Sequence, residues 1–77
     1  MHRPTLTVFT QHGHPCVDVP VNWLWDLAEY LAMQRLTVTY HFADTHFEVE
    51  FPKSDAATVQ TVLQDWEHTA ESEVQHA

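Results

Sequence analysis

One glycine and one cysteine are all that 77 residues contain of either. A lone cysteine excludes an internal disulfide, the usual staple of small secreted domains. A lone glycine excludes the glycine-rich loops that cradle phosphates. Positive charge is scarce as well: three Lys and Arg face eleven Asp and Glu, a net charge of −8 with the seven histidines neutral. Such a surface repels nucleic acid and anionic membranes and attracts basic partners. Direct nucleic-acid binding through Arg3, Arg35 and Lys53 is therefore not expected. No run approaches the roughly 18 apolar residues of a membrane span, and the first residues lack the apolar stretch of a signal peptide. A cytoplasmic location is the expectation.

What is present has globular character: 44% of residues are hydrophobic and 12% aromatic. The length suits a single domain over 1–77, with its core at about 5–70. A chain this short buries only about 60% of the surface its unfolded form exposes, which leaves little room for an enclosed substrate cavity.

Residues 5–10 alternate Leu6 and Val8 with threonines, the period of a strand. Gln11-His12-Gly13-His14-Pro15 reads as a turn. Val17, Val19 and Val21 alternate with Asp18 and Pro20, and the proline places this strand at an edge or ends it there. Asn22 is suited to cap a helix from Trp23 to Gln34, whose apolar stripe is Leu24, Leu27 and Leu31. Leu36, Val38, Tyr40 and Phe42 then alternate with polar residues, as do Phe47, Val49 and Phe51. Apolar positions are even on the first of these strands and odd on the second, so opposed residues must sum to an odd number. An Ala43-Asp44 loop meets that condition and pairs Tyr40 with Phe47. Ser54 is placed to cap a second helix with the stripe Val59, Val62, Leu63, Trp66 and Ala70, while 71–77 lack a stripe and should fray. The order is ββαββα: an α+β fold in which both helices pack on one face of a four-stranded antiparallel sheet.

Three groups of residues have no duty in such a core. The open sheet face would carry His41, His46, Glu48 and Glu50, with Asp18 able to join them. Glu48 and Glu50 would stand about 6.6–6.8 Å apart along the strand, close to the separation of successive backbone phosphates. Asp26 and Glu29 add carboxylates on the first helix, and Asp65 and Glu67 on the second. Trp25 points about 130° away from its helix's apolar stripe at 100° per residue, which makes it a partner anchor. Finally, His12, His14 and Cys16, or an opposed His41 and His46, are zinc-type ligands, although no second pair stands at conventional spacing.

No arrangement of nucleophile and base, and no enclosed carboxylate pair, argues for catalysis. No cofactor is expected. The leading expectation is a protein-binding inhibitor whose carboxylates imitate a nucleic-acid backbone and cover a basic, nucleic-acid-handling surface. In general character the chain resembles the small acidic inhibitors carried by phages and mobile elements, such as anti-CRISPR and anti-restriction proteins. That likeness is one of kind, attaches to no segment and transfers no site residues. The alternatives are a homodimeric adaptor assembled through Trp25 and its helix, and a metal-binding protein.

Overall fold

The computed structural model describes the backbone of residues 3–76 and the side chains of residues 3–69. Its elements are β1 (Val8–Gln11), β2 (His14–Pro20), α1 (Leu24–Met33), β3 (Thr39–Ala43), β4 (His46–Glu50) and α2 (Ala56–His76), with a short 3-10 turn at Val21–Trp23. The fold is α+β, in the order ββαββα, with one four-stranded antiparallel sheet. Strand order is β1-β2-β4-β3, so the two hairpins lie side by side and join through β2 and β4. Pro20 ends β2, as its missing N–H requires, but β2 is an inner strand rather than an edge. Residues 5–7 lie outside any strand, yet Leu6 still reaches the core at 7% exposure.

The core follows the alternation. Val17, Val19 and Val49 point to the helix side and are fully buried, together with Leu27 and Leu31 of α1 and Val59 and Trp66 of α2. Trp23 meets Trp66 edge to face at 6.1 Å between centroids. Arg3 crosses this layer: its guanidinium lies 5.1 Å from the Trp66 ring centroid, donates to the Trp66 carbonyl at 2.6 Å and forks onto Asp26 at 2.8 and 2.9 Å. Such a bidentate, stacked guanidinium ties the two helices together.

Three local expectations change. The second hairpin turns at Asp44-Thr45, two residues along from Ala43-Asp44 in the sum of opposed numbers, so Tyr40 faces Val49 and Phe42 faces Phe47. Parity is kept, so every side chain stays on its expected face; only the partners move. Asp44 makes the turn in the left-handed region at φ 52°, a conformation an aspartate tolerates. Asn22 does not cap α1, which begins after the 3-10 turn with no side-chain cap. The second helix is capped by Asp55 rather than Ser54: its carboxylate accepts the Thr58 N–H at 2.7 Å. The backbone of α2 continues through 71–76, the stretch expected to fray, while the side chain of Ala70 and those after it lie outside the described residues.

Candidate functional site

Neither helix covers the second face of the sheet, and the registers set out its side chains in ranks. Phe9, Cys16, Glu50 and Thr39 form one rank across the four strands; Asp18, Glu48 and His41 form the next. His46 stands between Pro20 and Ala43 in a third. Asp18, Glu48 and Glu50 therefore share one rigid surface, and Asp18 directly opposes Glu48. Like charges directly opposed across two strands destabilise a sheet, so this pair works against the fold's stability.

Histidines answer two of the three carboxylates. His46 Nε2 lies 3.3 Å from Asp18 Oδ1, and His41 Nε2 lies 3.6 Å from Glu50 Oε1. His41 and His46 do not oppose one another, because the shifted register sets His41 against Glu48 and His46 against Ala43. The shared-metal geometry expected for them is thereby lost. His14 sits on the same face as Cys16, whereas His12 stands in the β1–β2 turn at φ 53°. Cys16 is 1% exposed beneath its neighbours, with Sγ 3.5 Å from the His14 carbonyl. Burial pushes its thiol above the ordinary value, and the carboxylates of Glu48 and Glu50 push it further. A thiol so placed is a poor thiolate ligand. Among the described residues no group of three His, Cys, Asp or Glu is arranged to hold a metal ion.

The helix-borne carboxylates are scattered. Asp26 is held by Arg3, and Glu67 accepts a hydrogen bond from the Thr5 hydroxyl at 2.8 Å. Glu29 and Asp65 are exposed on α1 and α2. None of the four lies on the sheet, so none joins Asp18, Glu48 and Glu50.

Trp25 is 81% exposed, and a second surface grows out from it. Tyr40 and Phe42 point to the helix side of β3, but α1 leaves that edge partly bare: Phe42 remains 63% exposed and Tyr40 39%. A recess of about 230 Å³ runs between α1 and the sheet, lined by Leu24, Trp25, Ala28, Tyr40 and Phe47. Phe42 stacks against Phe47 at 5.1 Å and extends the patch outwards. Sequence pattern set Tyr40 and Phe42 on the covered face with Phe47, which does pack against the core, because alternation reports which face a residue takes, not whether anything covers that face. Strand order was the missing signal.

Among the described residues no helix is long and apolar enough to cross a membrane. Comparison with known protein families, with curated proteins and with solved structures finds no match to this chain.

Proposed function

We propose that the protein is a non-catalytic binding protein whose open sheet face covers a basic, nucleic-acid-handling surface of another protein and blocks it. The observation that carries this reading is that Asp18, Glu48 and Glu50 stand in two adjacent ranks of the sheet face that neither helix covers. Among the described residues the groups that pair with Asp18 and Glu50 are the imidazoles of His46 and His41. The face thus sets three carboxylates in fixed positions on one sheet. Mounting the array on a sheet rather than on loops lowers the ordering cost of binding. The overall charge of −8 steers a basic partner towards the molecule from a distance.

Capture from a cell lysate with immobilised protein, read by mass spectrometry, tests this reading when the wild type is run beside Asp18→Lys/Glu48→Lys. Both side chains are at least partly exposed, so the variant should keep the fold. The wild type should retain basic nucleic-acid-binding proteins that the variant does not, and raised salt should release them. Equal capture by the two proteins would remove the sheet face from the mechanism. The exposure of Trp25 and Phe42 favours a second reading, self-association, by a surface that leaves the carboxylate face free.

A further inference from the structure

We infer that two copies of this chain join edge to edge through β3, forming one eight-stranded antiparallel sheet with the aromatic recesses closed against each other. The inference is independent of the basic-partner reading.

The first argument is the edge itself. β3 ends the sheet, and an outer strand offers a row of unpaired N–H and C=O groups. Proteins that stay monomeric blunt such an edge with charged side chains, proline, a bulge or a covering element. The strand Thr39-Tyr40-His41-Phe42-Ala43 has no Asp, Glu, Lys, Arg or Pro, and its pairing with β4 runs without a bulge. Four of its five residues are exposed. The opposite edge differs: three of the four β1 residues are half-buried, and the chain before β1 is tied to α2 by Thr5 and Glu67.

Charge selects the occupant. The molecule carries −8, so two copies repel one another over most approaches. The recess lining of Leu24, Trp25, Ala28, Tyr40 and Phe47 has no Asp, Glu, Lys or Arg, and neither has β3. Two like-charged molecules can meet only on such a neutral side. A basic partner would find nothing there to pair with.

Symmetry supplies the register. A two-fold contact between identical antiparallel strands pairs residues whose numbers have a fixed even sum when the axis passes through a residue. Centred on His41, the sum is 82: Tyr40 then opposes Phe42 of the second copy, and Thr39 opposes its Ala43. Tyr40 and Phe42 stay on the helix side in both copies, where each Trp25 can cover the aromatic pair. An odd sum would set aromatics against the polar face and is excluded by the pleat. The four helices then lie on one side of the joined sheet, and the two carboxylate faces become continuous on the other.

Sedimentation equilibrium from 1 to 200 μM tests the inference. With a chain mass of 9.0 kDa, the expected species is 2 × 9.0, or 18 kDa. Phe42→Lys, a charge on an exposed position of the edge, should return it to the monomer without altering the circular-dichroism spectrum. Should that variant fold poorly, cross-linking decides instead. Opposed strand residues lie about 4.5–5.5 Å apart at Cα, within the disulfide range of about 4.4–6.8 Å. In a Cys16→Ala background, His41→Cys should therefore oxidise to a covalent dimer, while Glu29→Cys on α1 should not. A wild type that stays monomeric at 200 μM overturns the inference. So does a dimer that survives Phe42→Lys and dissolves only in Trp25→Ala, since that result assigns the contact to helix one alone.

Discussion

Two tryptophans of this chain have opposite fates. Trp66 is fully buried, packed edge to face on Trp23 and beneath the Arg3 guanidinium. Its Nε1 has no hydrogen-bond partner among the described residues, a loss worth about 1–3 kcal/mol that the cation over its ring helps to offset. Trp25 is 81% exposed and stabilises little. Trp66→Ala should therefore cost about 3–5 kcal/mol, a large part of the stability of so small a domain. Trp25→Ala, measured by urea denaturation at a concentration that keeps the protein monomeric, should stay within about 0.5 kcal/mol of the wild type. Helical periodicity separated these two residues correctly, because the angle of a side chain around its helix is a local property. It could not reveal that Phe42 is bare, since the exposure of Phe42 depends on the strand order β1-β2-β4-β3, which no local pattern contains.

At the scale of elements, a chain with a single glycine must turn its corners with other residues. Besides Gly13, the left-handed conformations fall to His12, Arg35 and Asp44, at φ 53°, 58° and 52°. Arg35 ends α1: its N–H donates to the Ala32 carbonyl at 3.0 Å, and the Leu36 N–H reaches the Leu31 carbonyl at 3.3 Å. That pair of bonds is the Schellman motif, whose left-handed position usually belongs to glycine. Arg35→Gly should relieve about 1–2 kcal/mol of strain and lose part of it to a freer unfolded chain. A net gain of about 0.5–1 kcal/mol in thermal or urea unfolding is expected. The start of α2 gives a prediction in pH. The Thr58 N–H and hydroxyl hold the Asp55 carboxyl below its ordinary 3.8. Its folded value is depressed, so the cap's contribution is present above the unfolded value and fades as pH falls through the folded one. Asp55→Ala should lower the melting midpoint at pH 7, with the gap to wild type narrowing below pH 4. An alanine cap that melts with the wild type at pH 7 would show that the bond to Thr58 contributes nothing. The sequence placed this cap one residue early, because Ser54 and Asp55 are both competent and only the backbone path after Pro52 separates them.

The whole molecule divides its surfaces by charge. On the helix side over β3 lies a neutral aromatic shelf; behind the sheet lie Asp18, Glu48 and Glu50, with His41 and His46 as their only close counter-groups among the described residues. Their face assignment was legible in the sequence, because alternation of period two survives a shift of two residues in the hairpin. The pairing of particular histidines with particular carboxylates was not, since it depends on that shift. The most direct test of the account is the affinity of a captured basic partner for the wild type and for Asp18→Lys/Glu48→Lys, each measured at low and at raised salt. Wild-type binding should weaken steeply as salt rises, because screening acts on exposed charges, and the charge-reversed variant should bind weakly at both. A wild-type affinity that is the same at both salt concentrations would contradict an electrostatic sheet face.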